Sequence, residues 1–277
     1  MMKALPSSLP DPHRRFLSSS IDVLRCDARI IGVAAGGSFL TNSMDEFSDL
    51  DLVIAVEPLH CESVMADRRR IAGSLGPLLA AFTGEHVGEP RLLICMYDGA
   101  PLLHVDLKFV ALPDIAKRVE DPAVLWEREG QFTRALEGGT AEFPILDLQW
   151  IEDRFWVWLH YATAKIGRGE IFEALECLSF VRITVLGPLA LLRSGARPAG
   201  VRKLERLAPE YIRSLQSTLA GYDAIDCLRA LRACAELYRT LRVNIAEVEF
   251  RQAAERAALQ YLSDVEQRYN PTSGIGE

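Results

Sequence analysis

The chain has 277 residues, 49% hydrophobic and 25% charged, with 31 basic against 38 acidic side chains and a formal net charge of −7. That is the composition of a globular protein long enough for one large domain or two ordinary ones, and it excludes a broad basic footprint for nucleic acid. The acidic excess suits a cationic substrate, or simply keeps the protein dissolved.

The six cysteines (Cys26, Cys61, Cys95, Cys177, Cys227 and Cys234) form no CxxC pair, and the five histidines form no HxH or HExxH. A zinc site is therefore not readable, and a reduced, cytoplasmic compartment is expected. The opening residues lack the apolar stretch of a secretory signal. No run of some eighteen uncharged apolar residues is found, so no membrane span is expected.

In chain order, "DPHRRFLSSSIDVLRCD" reads as a helix with Phe16, Ile21 and Leu24 on one side. "RIIGVAA" reads as a strand ending at Gly36–Gly37, and Ser38 to Ser48 as a short helix. "LDLVIAV" is a second strand, bounded by Glu57–Pro58. "ESVMADRRRIAGSLGPLLAAF" is helical, broken or kinked at Gly76–Pro77. "RLLICMYDGAPLLHVDLKFV" holds two strand-like runs around Asp98–Gly99, a hairpin signal. In its second run Val105, Leu107 and Phe109 alternate with His104, Asp106 and Lys108.

Beyond residue 140 the pattern turns helical. "LQWIEDRFWVWLHYATAKIGRG" is one helix, and "EIFEALECLSFVRITVLGPLALLRSG" a second, bent at Gly187–Pro188. "APEYIRSLQSTLAG" is a third, and Asp223 to Tyr269 divides into two more with a break near Val243–Ala246. The tail "NPTSGIGE" reads as a frayed end.

The chemistry concentrates between Gly36 and Asp106. Residues i and i+2 of a strand share a face, so Asp49 and Asp51 are expected to point together, opposite Leu50, Leu52, Ile54 and Val56. Like charges so close repel, and a divalent cation between them removes that cost. Asp106, on the polar face of another strand, would be a third carboxylate if the strands are neighbours. An oxygen-only set of this kind suits Mg²⁺ shared with phosphate, the arrangement of two-metal phosphoryl chemistry. Upstream, Gly36–Gly37–Ser38 would let backbone N–H groups approach an anion, with the Ser38 hydroxyl as a further donor. Taken singly, GGS is a turn, DxD a solvated pair and Asp106 a strand-edge acid. The order of the set is what is specific.

Together Gly37–Ser38, Asp49–Leu50–Asp51 and Asp106 resemble the motif of the DNA polymerase β-like nucleotidyltransferase superfamily. "RIIGVAAGGSFLTNSMDEFSDLDLVI" is most similar to its antibiotic-modifying branch, the aminoglycoside and lincosamide nucleotidyltransferases, with the motif match spanning residues 25–110. "FWVWLHYATAKIGRGEIFEALECL" has the character of the streptomycin-type adenylyltransferases.

The resemblance implies an α+β fold, a small mixed nucleotidyltransferase sheet with flanking helices followed by an all-helical C-terminal domain. Residues 1–142 would be the catalytic domain and 143–277 the helical substrate- and nucleotide-binding domain. Gly37 and Ser38 would hold the triphosphate, and Asp49 and Asp51 would bind two magnesium ions. Asp106 would complete the catalytic metal site near the acceptor hydroxyl. The implied reaction moves a nucleoside monophosphate, AMP from ATP in the first instance, to a hydroxyl of a small molecule such as an aminoglycoside. Alternatives are the same chemistry on a protein acceptor, or a non-catalytic nucleotide-binding sensor module. The acidic balance argues against a nucleic acid acceptor. The expected state is a monomer or homodimer with no membrane partner.

The chain departs from its relatives at Thr41–Asn42, where many carry a basic residue and a glycine. Asn tolerates positive φ, so the backbone shape can survive while a phosphate-facing charge is lost. Lys165 and Arg182 are candidates to reach the triphosphate across an interdomain cleft, with Lys203 a weaker one. Their plain alternative is a snorkelling lysine and an arginine paired with a carboxylate such as Glu176. Trp156, Trp158 and Tyr161 are candidates to floor an acceptor pocket, or else are core.

Overall fold

The computed structural model describes residues 5–243 and 248–269. The tail from Asn270 and most of the break placed near Val243–Ala246 lie outside the described residues. The chain divides into two compact units, Met1–Pro144 and Ile145–Glu277. It is an α+β protein, the first unit built on a mixed sheet and the second helical.

In the first unit, helix α1 (Asp11–Leu24) leads into β1 (Ile30–Ala35) and β2 (Leu50–Val56), then α2 (Cys61–Leu75), β3 (Leu78–Gly84), β4 (Glu89–Tyr97), β5 (Leu103–Ala111), β6 (Ala123–Glu127) and α3 (Gln131–Glu137). The six strands run in the order β3-β4-β5-β2-β1-β6. β2 and β5 are parallel at its centre, and the other neighbours are antiparallel. The hairpin expected around Asp98–Gly99 is the β4–β5 pair.

Alternation along the strands produces two unequal faces. Leu50, Leu52, Ile54 and Val56 join Leu93, Tyr97, Leu107 and Phe109 beneath the apolar sides of α1 (Phe16, Leu17, Ile21, Leu24) and α2 (Val64, Ile71, Leu75). The second face carries a smaller patch: Ile31, Ala34, Ala55, Val110, Ile115 and Phe132. Within this unit that cover comes from the 3₁₀ turn Leu112–Ala116 and α3, so β1 is buried along its whole length. Asp51, Val53, Asp106 and Lys108 stay only half-buried.

Two sequence expectations are corrected here. "LLAAF" is not a continuation of α2. The helix stops at Leu75, Gly76 is extended, and Leu78–Gly84 pairs with β4. An apolar run of this length fits either element, and an available sheet edge decided it. Nor does Ser38 to Ser48 form a short helix. One 3₁₀ turn, Gly37–Phe39, is followed by turns and loop. Ser, Thr, Asn and Asp in that stretch bond locally: Thr41 to Ser43, and Asp45 to Ser48 and the Phe47 N–H.

The second unit comprises α4 (Leu148–Gly167), α5 (Ile171–Val181), α6 (Gly187–Arg193), α7 (Leu204–Leu207), α8 (Ile212–Ser217), α9 (Ala224–Leu241) and α10 (Gln252–Tyr269). Asp147 and Asp223 cap α4 and α9 through their carboxylates, accepting from the N–H groups of Trp150 and Asp226. Ile151, Phe155, Leu159, Ala162 and Ile166 form the buried stripe of α4 at helical spacing. They pack with Leu178 of α5, Leu231 and Tyr238 of α9, and Leu262 of α10.

The irregularity expected at Gly187–Pro188 lies just ahead of it, where Arg182–Leu186 winds as a π turn between α5 and α6. Gly187 is needed there because a Cβ would meet the Gly200 carbonyl oxygen at 2.5 Å. Ile171–Arg193 as a whole is long and apolar enough to cross a membrane by length and composition, although it holds no run of eighteen uncharged residues. Its charges are Glu173, Glu176, Arg182 and the terminal Arg193, and half of its most apolar window is buried inside the unit.

Candidate functional site

The site begins where β1 ends. Gly37 has φ +59, a left-handed conformation suited to glycine, and turns the chain back toward β2. The Gly36 N–H donates to the Asp51 carbonyl at 2.9 Å, locking this turn to the strand it faces. A Cβ on Gly37 would lie 2.0 Å from Asp51 Oδ2, so the carboxylate rests directly on the glycine backbone. The Ser38 Oγ is buried and makes no hydrogen bond. An unmet hydroxyl beside a glycine turn is an available donor for an anion.

Asp51 and Asp106 are register partners across the parallel β2–β5 pair. Directly paired residues on adjacent strands project to the same face at about 5 Å spacing, so the two carboxylates stand side by side. Asp106 also lies 3.0 Å from the His104 Nε2 two residues earlier on the same face. Asp49 precedes β2 and is exposed. Its neighbour Ser48 is fixed through its carbonyl, 2.7 Å from the Nε2 of the buried His13 on α1.

The register brings Asp51 and Asp106 to neighbouring positions, and Asp49 stands ahead of the strand. Among the described residues no group of three or more His, Cys, Asp or Glu is gathered so as to hold a metal ion. The donor chemistry nevertheless fits Mg²⁺. All donors are oxygen, two are adjacent, and the unpartnered Ser38 hydroxyl beside them is open to a phosphate.

Glu120, in the loop before β6, was not legible as part of this site. The Gly37 N–H donates to its Oε1 at 2.8 Å, across 83 positions of sequence. A Cβ on Gly36 would meet the same oxygen at 3.0 Å. Further along the same face, Lys108 and Arg91 hold Glu89 at 2.8 and 2.7 Å. Those partners depress the Glu89 carboxyl to about 2, the Arg91 hydrogen bond contributing most.

At Thr41–Asn42 the backbone shape survives as anticipated, with Asn42 at φ +48. Its side chain is occupied with the N-terminal loop, Oδ1 accepting from the Ser8 N–H at 3.1 Å.

The remaining candidates belong to the second unit. Lys165 ion-pairs with Glu170 and Glu173 at 2.7 and 2.9 Å and lies over the Tyr161 ring, contacts that raise its pKa. Arg182 donates to the Thr218 carbonyl at 2.7 Å, and its burial lowers its pKa. The pairing of Arg182 with Glu176 weighed as the plain alternative is replaced by this backbone acceptor. Lys203 is exposed, at a positive φ of 57. Trp156 is core, donating its Nε1–H to Glu152 at 3.2 Å. Trp158 and Tyr161 instead line a cavity of about 310 Å³ with Phe180, Glu173, Glu176 and Cys177.

No family model matches the chain, and no curated protein matches it. Among solved structures, it is similar to an aminoglycoside 6-adenyltransferase from Bacillus subtilis. That similarity has 15% identity and a TM-score of 0.39, and covers 90% of this chain and 97% of that one. It is also similar to a nucleotidyltransferase-like protein from Exiguobacterium sibiricum 255-15, with 15% identity and a TM-score of 0.39 over 95% of this chain and 96% of that one. Likenesses of this size do not define an activity.

Proposed function

We propose that the first unit is a nucleotidyltransferase. More particularly, it transfers a nucleoside monophosphate, AMP from ATP in the first instance, to a hydroxyl of a small molecule, and pyrophosphate leaves. The observation that carries this reading is the contact of Gly37 with the Asp51 carboxylate, in register with Asp106 and next to the unpartnered Ser38 hydroxyl. Two carboxylates side by side repel, and a nucleoside triphosphate with its metal would bring a divalent cation to that pair and an acceptor for the Ser38 hydroxyl.

Each residue has a place in that chemistry. The backbone of Gly37 and the Ser38 hydroxyl would take phosphate oxygens. Asp49, Asp51 and Asp106 would hold Mg²⁺, which when bound draws off the charge developing on the transferring phosphoryl group. The acceptor oxygen forms a bond to the α-phosphorus as the α–β bridging P–O bond breaks, and pyrophosphate carries off the bonding electrons. Asp106, with His104 Nε2 at 3.0 Å, would take the acceptor hydroxyl proton. Lys165 and Arg182, the triphosphate candidates of the sequence, are engaged within the second unit, Lys165 with Glu170 and Glu173 and Arg182 with the Thr218 carbonyl.

In the second unit, the Trp158–Tyr161–Phe180 cavity with Glu173 and Glu176 has the aromatic faces and carboxylates that suit a cation such as an amino sugar. The motif's resemblance to antibiotic-modifying enzymes points the same way.

The test is pyrophosphate release with Mg²⁺, each nucleoside triphosphate, and a panel of aminoglycosides and lincosamides. Release that depends on one acceptor supports the reading. Asp51→Asn and Asp106→Asn should each lower turnover by about a hundredfold or more. Undiminished turnover in either variant overturns the carboxylate assignment. Nucleotide binding without turnover on any acceptor would favour a sensor.

A further inference from the structure

β2 begins at Leu50, and Asp49, the residue before it, takes its place from the peptide that precedes it. The carbonyl of that peptide, on Ser48, lies 2.7 Å from Nε2 of His13 on α1. A carbonyl oxygen only accepts, so Nε2 carries the hydrogen and donates it. His13 is 1% exposed, and its other ring nitrogen, Nδ1, is buried without a hydrogen-bond partner. Burying an imidazole with one nitrogen unmet costs stability, and an apolar side chain at this helix position would avoid that cost. The bond His13 does make is to the peptide plane shared by the Ser48 carbonyl and the Asp49 N–H. The same loop is held from the N-terminal segment at two further points. The Ser8 N–H donates to Asn42 Oδ1 at 3.1 Å, and Ser8 Oγ accepts the Met44 N–H at 3.3 Å. Beyond these anchors Asp45 and Ser48 close a turn of their own. The Ser48 N–H donates to the Asp45 carbonyl at 3.2 Å, and Ser48 Oγ to Asp45 Oδ1 at 3.0 Å.

We propose that His13 is a positioning residue for Asp49, acting through the Ser48–Asp49 peptide. The inference rests on the nucleotidyltransferase reading above, in which Asp49 helps to hold a divalent cation. Asp49 is exposed and stands just ahead of the first ladder pair of β2, Leu50 with Val105. Its carboxylate is therefore placed by the backbone on either side of it and not by packing. On the C-terminal side the sheet fixes that backbone. On the N-terminal side the fixed point is the peptide plane that His13 holds. Because the plane is rigid, anchoring its carbonyl also sets the direction of the Asp49 N–H and the position of the Asp49 Cα. Without the imidazole donor the Asp45–Ser48 turn keeps its internal bonds but loses its tie to α1, and Asp49 loses its fixed place relative to Asp51. A partner of this kind, one bond removed from a metal ligand, orients the ligand without touching the metal.

The variants are His13→Leu, which fills the buried space without a donor, and His13→Gln, whose side-chain amide can donate in place of Nε2. His13→Met replaces the leucine variant if that one does not fold. The probe is the Mn²⁺ complex of ATP, whose binding to the protein is read from water proton relaxation. His13→Leu should weaken that binding by about tenfold or more, the usual cost of removing a partner that orients a metal ligand. His13→Gln should recover most of the affinity. In an Asp49→Asn background the leucine substitution should have little further effect, because the carboxylate it positions is gone. Equal affinities of the wild type and His13→Leu overturn the proposal while leaving the nucleotide reading intact. So does an equal loss with and without the Asp49 carboxylate, which would make His13 a general brace for the sheet. If the wild type does not bind the Mn²⁺ complex of ATP, the nucleotide reading itself fails and this inference falls with it. Urea unfolding checks the fold, and His13→Leu should be at least as stable as the wild type.

Discussion

Replacing Gly37 by alanine tests the centre of the site through two separate physical costs. A residue with a Cβ at φ +59 costs about 1–2 kcal/mol relative to glycine. The new methyl would also sit 2.0 Å from Asp51 Oδ2 and 3.1 Å from its Cγ, about 1 Å closer to the oxygen than packed atoms tolerate. The methyl is fixed to the backbone, so the carboxylate rotates away or the turn withdraws from β2. The turn is tied to β2 by the Gly36 N–H bond to the Asp51 carbonyl, so the carboxylate is the part that yields. The expected loss of stability is about 2 kcal/mol, chiefly the backbone term. A displacement of about 1 Å in a group that must be placed for transfer costs roughly a hundredfold in turnover. Urea unfolding measures the first quantity, and acceptor-dependent pyrophosphate release the second. Wild-type turnover from Gly37→Ala, with stability lowered as expected, would show that the Gly37–Asp51 contact is a packing detail with no part in the chemistry.

Two further predictions concern the scaffold. Glu152 is buried in the second unit, where it receives Tyr238 Oη at 2.6 Å, Arg242 Nη1 at 2.8 Å and the Arg251 N–H at 2.9 Å. Glu152→Ala should cost about 3–5 kcal/mol in urea unfolding because Arg242 is left buried with half its partners. A double replacement of Glu152 and Arg242 by apolar residues should cost clearly less than that, and an equal loss would refute the unpaired-charge account. In the first unit, the Glu89 carboxyl is depressed to about 2 by Arg91 and Lys108. A lowered folded-state pKa stabilises above the unfolded value near 4.5 and is lost as pH falls toward 2. After discounting for water at Arg91 and Lys108, that contribution is about 2 kcal/mol at most. Glu89→Gln should flatten the fall in stability between pH 4.5 and 2 while lowering stability at pH 7; an unchanged acid limb refutes the pairing.

How much of this was legible in sequence differs from element to element. β1, β2 and the β4–β5 hairpin were readable because alternation and the Asp98–Gly99 turn are local signals. α4, with its Asp147 cap and its stripe from Ile151 to Ile166, was readable for the same reason. β3 was not, because "LLAAF" lacks a period of its own and takes its form from β4. The π turn at Arg182–Leu186 likewise depends on how closely Gly187 and Gly200 approach.

For the candidate site, residue types and order alone marked Gly37, Ser38, Asp49, Asp51 and Asp106. Oxygen donors placed by strand periodicity around a glycine turn are a local pattern, and chemistry restricts what such a pattern can hold. Tertiary structure decided which of them meet. The parallel β2–β5 register set Asp106 beside Asp51, and left Asp49 exposed ahead of the strand. It also brought Glu120 to Gly37 and His13 to Ser48, pairs separated by 83 and 35 positions. No sequence period reaches that far, because such contacts form only when β6 pairs with β1 and α1 packs onto the sheet.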